Sequence, residues 1–343
     1  MSQKIRNMEE FATVAGISRP TVSKYFNDPD SVRPTTRARI EKALGKYDYR
    51  PNIFAVNQNR KLTKTVGIVV PTIADPYFAE MARILEERCL EAGFSPSLQS
   101  AHGSRSLETT ILDNLRAMKP AGVLFAPLGR RSSDIAAVEA FCRDVPTILF
   151  DSNIEGMGEA FVGSDNRSFV DQTVDYLRRT GSAPCLFEMA HPANPNAIRR
   201  REAFVDAMTR AGLVPQIHAI DGTGWAFEEI GRQGALKFLD TDPLPSRSVL
   251  CSNDRLAIGF LSACYERGIS VGFGPGHDLR MASMDDHPYA RFTCPPLTTC
   301  AHDYDAVARI TVETLLQLID RGGRFETRTE RLIPSRLVLR ESA

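Results

Sequence analysis

Long apolar runs are missing from this sequence. No stretch of the 343 residues approaches the roughly 18 apolar residues that a bilayer-spanning helix needs, so no membrane segment is expected. The opening Met1-Ser2-Gln3-Lys4-Ile5-Arg6-Asn7 lacks the apolar core of a secretory signal, which sets the expectation of a cytoplasmic protein. Cysteine is sparse. The seven are odd in number and never spaced C-x-x-C, which argues against a disulfide framework or a zinc ribbon and for free thiols. Catalytic signatures are missing as well: there is no G-x-S-x-G elbow, no H-E-x-x-H and no phosphate-loop lysine. Gly272-Phe273-Gly274-Pro275-Gly276 reads as a plain turn, and Cys294, Cys300 and His302 lack the spacing of a metal site. Asp285 and Asp286 on an extended segment point to opposite faces, unlike a catalytic acid pair. No cofactor, no metal and no enzymatic activity are therefore expected. An enzyme remains the rival class to test, with an exported binding protein second.

Net charge is absent overall but not locally. Lys and Arg total 42 against 42 Asp and Glu, yet residues 1–64 hold thirteen basic and six acidic side chains. That surplus of seven is mirrored by seven net negative charges in the remainder. A basic head on an acidic body predicts an anionic polymer as the partner of the head alone.

The head reads as three short helices. Asn7 can cap the first and form a capping box with Glu10. Gly16 ends it, Ser18 can cap a second helix, and Pro20 is tolerated in that helix's first turn. Val22 and Phe26 would pack inward, leaving Arg19, Thr21, Ser23 and Lys24 free. A third helix is expected from about Pro34 to Lys46, contributing Ile40, Ala43 and Leu44 to the same small core. Two helices joined by a Gly-containing turn make a helix-turn-helix.

From Thr65 onward, short β-rich apolar runs alternate with helical stretches: residues 66–70, 121–126, 146–150, 184–189 and 248–251 are expected strands, and a helix is expected to begin at Met81. Such alternation implies parallel sheets in an α/β fold, here in two halves with a cleft at the carboxyl ends of their strands. Polar residues recur at those ends: Asp75-Pro76-Tyr77-Phe78, Asp151, Asn253-Asp254 and Asp285-Asp286, with Arg200 opening a helix and Trp225 in a loop.

The wording Ala15-Gly16-Ile17-Ser18, Thr21-Val22-Ser23-Lys24, Asn27 and Tyr49-Arg50-Pro51-Asn52 closely resembles the DNA-binding head of the lac-repressor (LacI/GalR) family. The body carries further matches in Asp75-Pro76-Tyr77-Phe78, Gly163-Ser164-Asp165-Asn166, Asn253-Asp254, Pro295-Pro296-Leu297-Thr298-Thr299 and the ending Leu332 to Ser342. These resemble the sugar-binding fold that this family shares with periplasmic ribose-type binding proteins. The resemblance implies a small all-α helix-turn-helix head over residues 1–50, a hinge helix and linker over 51–63, and a two-lobed periplasmic-binding-protein-like α/β effector domain over 64–343. It further implies a sequence-specific repressor, acting as a homodimer on double-stranded operator DNA and controlled by a small sugar or sugar derivative. A nucleobase or sugar-acid corepressor is the alternative ligand.

Carried over residue by residue, the resemblance places Arg19, Pro20 and Lys24 at base edges and Thr21, Ser23 and Asn27 on the phosphate backbone. Gln58, beside Asn57, stands where the family has a leucine wedge, so these two are expected to read minor-groove edges by hydrogen bonds. For the effector the implied contacts are Tyr77, Phe78 and Trp225 as aromatic walls, with Asp75, Asp151, Asn196, Arg200, Asn253, Asp285 and His302 as polar partners. Aromatic faces over C–H surfaces, with carboxylates and a guanidinium on paired hydroxyls, suit a polyol.

Overall fold

The computed structural model describes residues 4–51, 63–129, 132–241 and 243–343, and within that range the side chains of Asn27 and of 132–134 are not described. The chain divides into two compact units, Met1–Thr63 and Lys64–Ala343. The expected hinge helix falls within 52–62 and so lies outside the described residues.

The smaller unit contains α1 (Met8–Ala15), α2 (Arg19–Asn27) and α3 (Pro34–Lys46). Asn7 caps α1 by accepting from the Glu10 N–H at 2.9 Å. The expected reciprocal bond is displaced by one residue, because Glu10 accepts from the Arg6 N–H instead of that of Asn7. Gly16 takes φ +63 and closes α1, a conformation that costs other residues a clash. The guanidinium of Arg39 on α3 donates to the Gly16 carbonyl at 2.7 Å, which ties the turn to the third helix. Ser18 stands at the start of α2 without a side-chain cap; its hydroxyl bonds Thr21 Oγ1 at 2.8 Å. Phe11, Val22 and Ile40 are fully buried and Leu44 packs at their edge. Phe11 also stacks on Tyr49 with centroids 4.5 Å apart.

The larger unit holds two six-stranded sheets. The first runs β11-β5-β4-β3-β1-β2 and the second β12-β10-β9-β8-β6-β7. In the first, β1 is Thr65–Val70, β2 Ser95–Ser100, β3 Gly122–Phe125, β4 Thr147–Phe150, β5 Ala160–Ser164 and β11 Thr329–Ile333. In the second, β6 is Cys185–Met189, β7 Gln216–Ile220, β8 Ser248–Cys251, β9 Arg280–Asp285, β10 Thr298–Ala301 and β12 Arg336–Val338. Only β12, paired with β10, is antiparallel among the described strand pairs. The central strands are buried on both faces, which explains why they read as unbroken apolar runs. Edge strands β2, β7 and β11 are polar and half-exposed, and no apolar run marks them in the sequence.

Helices cover both faces. In the first lobe these are α4 (Pro76–Glu91), α5 (Arg105–Met118) and α6 (Ser132–Asp144), with α11 (Tyr304–Asp320) returning to bury Val307, Val312 and Leu315 against β3, β4 and β5. The second lobe takes α7 (Asn166–Thr180), α8 (Pro195–Arg210), α9 (Phe227–Leu239) and α10 (Asp254–Arg267). The chain passes between lobes three times, from β5 to α7, from β10 to α11 and from β11 to β12. Two expectations need correcting. The helix expected at Met81 starts at Pro76, because the Asp75 carboxylate caps it through the Tyr77 N–H at 3.0 Å. Arg200 does not open a helix; α8 starts at Pro195, capped by Asn194, which puts Asn196 and Arg200 on successive turns.

Candidate functional site

In the head, Arg19, Pro20 and Lys24 are exposed on α2, with Thr21 and Ser23 half-buried beside them. Arg19 lies 3.7 Å from the Glu9 carboxylate, with both side chains mostly in solvent. Such a pair is worth little, so Arg19 is available to a stronger partner. Of Asn27 only the backbone is described, and Asn57 and Gln58 lie outside the described residues.

In the body, the carboxyl ends of both sheets face a cleft of about 610 Å³, part of it open to solvent. Asp75, Tyr77, Phe78, Asp151, Asn196, Arg200, Trp225, Asn253, Asp285 and His302 all line it. The sequence reading passed over Asn194, Ala197, Phe227, Ser252, Arg255, His287 and Tyr304, which line it too. Several were within reach of the same rule, since Ser252 and Arg255 flank Asn253-Asp254 after β8 and His287 follows β9. No motif pointed to Phe227 or Ala197, which arrive only through packing.

One buried polar network joins the lobes around Arg200 and Asp285. The Arg200 guanidinium, 6% exposed, donates from Nη2 to Asp285 Oδ1 at 2.6 Å, from Nη1 to the Ser252 carbonyl at 2.7 Å and from Nε to Asn166 Oδ1 at 2.8 Å. Asn166 in turn donates to Asn196 Oδ1 at 3.2 Å, and Asn196 to the Asp151 carbonyl of the first lobe at 3.2 Å. His302, on the crossing from β10 to α11, has Nε2 3.2 Å from Asp285 Oδ1 and Nδ1 2.6 Å from the Ser164 hydroxyl. With the Ser164 hydroxyl donating a hydrogen bond to Nδ1, Nε2–H is left to donate to Asp285. Burial works against the Asp285 carboxylate, but Arg200 and His302 outweigh it and hold it below the usual carboxylate range. Asp254, wholly buried beneath it, is pushed up to about 8 by burial and then by the charge of Asp285. Asp285 and Asp286 do send their carboxylates apart, one to Arg200 and one to Arg340. They do so from left-handed or strained backbone, with φ of 122° and 50°, and not from a plain extended segment.

A second connection crosses the cleft. Gly231 on α9 and Gly259 on α10 let these helices approach so closely that a Cβ on Gly259 would sit 2.0 Å from the Glu228 carbonyl. That approach sets Glu228 against Arg255, which donates to it twice at 2.7 Å and reaches over to Asp75 Oδ2 at 3.0 Å. Asp75 thus has a structural partner on each oxygen, Tyr77 N–H and Arg255. Burial still leaves its carboxyl above the ordinary range, with Arg255 opposing.

Aromatic rings close the walls. Tyr77 packs on His302 and Tyr304 with centroids at 4.7 and 5.3 Å, and Phe78 meets Trp225 at 6.0 Å. Burial and the neighbouring Asp151 carboxylate hold the Tyr77 phenol protonated. Asp151 takes φ 59° and accepts from Ser152 at 2.9 Å. The cleft therefore offers flat apolar faces, acceptor-only carboxylates and few free donors. Among the described residues no cluster of three or more His, Cys, Asp or Glu is placed to hold a metal ion, and no helix is long and apolar enough to cross a membrane.

Comparison with known proteins adds to this geometry. Residues 7–52 match the bacterial regulatory proteins of the lacI family, and residues 174–343 match the periplasmic binding protein-like domain. The HTH-type transcriptional repressor CytR of Escherichia coli (strain K12) is 28% identical over 336 residues, covering 98% of this chain and 95% of that protein. The ribose operon repressor of the same organism is 26% identical over 314 residues, covering 91% and 92%. Among solved structures, the lac repressor dimer bound to operator and the anti-inducer ONPF superposes with a TM-score of 0.83 at 24% identity over 98% of each chain.

Proposed function

We propose, from the premise that this chain belongs to the lacI family of bacterial regulatory proteins, that it represses transcription in the cytoplasm by binding an operator through its head. A small hydroxyl-bearing effector in the cleft of its body sets the affinity for DNA. The observation that carries this reading is the cleft, whose carboxylates and aromatic rings come from both lobes. A ligand lodged there contacts both lobes at once and favours one lobe arrangement. It can shift DNA affinity only by its differential affinity for the two arrangements, typically ~1–3 kcal/mol.

The division of labour is a helix-turn-helix over 1–50, a hinge over 51–63 and an effector and dimerisation domain over 64–343. Arg19, Pro20 and Lys24 read bases, Thr21, Ser23 and Asn27 hold phosphates, and Asn57 and Gln58 face the minor groove. One head buries too little surface for regulatory affinity, so two chains bind a near-palindromic site. The chain is not an enzyme on this reading, in which Asp285 and Asp75 are each paired with an arginine. The relatives include a ribose operon repressor, which makes a pentose the first effector to try. Arg200 and Arg255 in the wall give a sugar acid or nucleobase a second place.

Titrating sugars, sugar acids and nucleobases with and without operator tests the whole reading. Linkage requires operator to change effector affinity by the factor by which effector changes operator affinity. Equal effector affinities in the two titrations would refute it.

A further inference from the structure

His287 belongs to the cleft but has no part in the network around Arg200. It follows the end of β9, is 6% exposed and lines the cavity. Its backbone is fixed from below: the N–H donates at 2.7 Å to Asp254, whose carboxyl group is also hydrogen-bonded to Thr299 at 2.7 Å and to Ser283. Its ring is fixed as well, since the Tyr289 N–H donates to Nδ1 at 3.1 Å. A backbone N–H cannot accept, so Nδ1 is the bare nitrogen of the neutral ring and Nε2 carries the proton. That Nε2 is buried and has no hydrogen-bond partner. Native proteins rarely leave a buried donor unpaired without a reason. Among the described residues the other buried side-chain nitrogens and oxygens without partners belong to Arg88 and Arg280, neither of which lines the cleft.

We infer that His287 is an effector-contacting residue, donating from Nε2–H to an oxygen of a hydroxyl-bearing ligand. The complementary need lies at Asp285, where both recorded bonds end on Oδ1 and Oδ2 has no partner among the described residues. A ligand satisfying both must accept at His287 and donate at Asp285, and a hydroxyl does either. A carboxylate ligand satisfies His287 alone and meets the negative charges of Asp75 and Asp285 nearby. Burial holds the ring below the usual histidine range, which keeps it a neutral, single donor near neutral pH. This deepens the effector reading above and rests on it.

Two measurements on the full-length protein test the inference. The first is ¹⁵N-histidine spectroscopy of the ligand-free chain near neutral pH, with His287→Phe identifying the resonance. A protonated Nε2 with a bare Nδ1 is expected, and the opposite tautomer or an imidazolium overturns the inference. The second is calorimetry with D-ribose, uridine and D-ribonate as probes. For the probe that binds, His287→Phe is expected to weaken binding about ten-fold or more, while His287→Gln, which restores a donor, stays within about three-fold. Binding unchanged in His287→Phe overturns the inference. Should none of the three bind, the reading of the cleft as a sugar site falls, and the tautomer spectrum alone decides for or against the His287 donor.

Discussion

Replacing Arg200 with alanine removes three hydrogen bonds at once and leaves the partly buried Asp285 carboxylate with His302 as its remaining partner. Breaking one member of a buried ion pair typically costs ~3–5 kcal/mol, and the lower end applies here because Asp285 keeps its contact with His302 and part of its side chain is exposed to the cleft. For a domain somewhat larger than 150–250 residues, each kcal/mol lowers the melting temperature by at most ~2–4 °C, so a cost of ~3 kcal/mol gives a drop of at most roughly 6–12 °C. Arg200→Lys supplies a charge to Asp285 but no planar fork for Asn166 and the Ser252 carbonyl, and should fall between wild type and Arg200→Ala. The double variant Arg200→Ala/Asp285→Ala, which removes that carboxylate too, should recover part of the loss. Thermal unfolding followed by circular dichroism, on all four proteins, measures this. A shift below about 2 °C for Arg200→Ala, or a double variant equal to the sum of the singles, would refute the argument. The loss of effector response expected of Arg200→Ala then comes with a weakened body and not from a missing ligand contact alone.

Other expectations follow from particular contacts. Asp75→Asn keeps the cap on Tyr77 but weakens the link to Arg255 across the cleft. It should loosen the lobes by about 1–3 kcal/mol, visible as faster proteolysis between lobes; an unchanged cleavage rate would discount the link. Asp254 has its carboxyl raised to about 8, so the native state holds a proton that the unfolded chain releases near the ordinary carboxylate range. This group's contribution is therefore complete at acid pH and is lost as pH rises through about 8. Melting temperature should fall across that window in wild type and vary less in Asp254→Asn; parallel profiles would argue against it. In the head, Arg19→Ala and Lys24→Ala should each relax sequence preference by ~1–3 kcal/mol at one base position. Thr21→Ala should weaken all sequences alike. Selection from randomised DNA distinguishes these outcomes, and unchanged preferences in both reader variants would overturn the assignment.

Much of the architecture is written locally. The apolar runs at β1, β3, β4, β6 and β8 are legible because a parallel strand buried on both faces must be apolar throughout. The head is legible because Gly16, Pro20 and the spacing of Phe11, Val22 and Ile40 are short-range signals. The positions of Asp151, Asn253 and Asp285 at strand ends could also be read, since ligands in such sheets meet the carboxyl ends of strands. Tertiary structure decided what those residues do to one another. Asp75, expected as a ligand contact, lines the cleft and also caps a helix and pairs with Arg255, 180 residues away. No sequence pattern singled out His287, two residues past the end of β9. It became a donor of fixed tautomer only when the Tyr289 amide, the Asp254 carboxyl and the cleft wall were assembled around it. Sequence patterns report the burial and backbone preference of each segment, which are nearly local. Which oxygen a guanidinium reaches, and which nitrogen stays unpaired, depends on two lobes packing to within a hydrogen bond's length, and no local pattern records that distance.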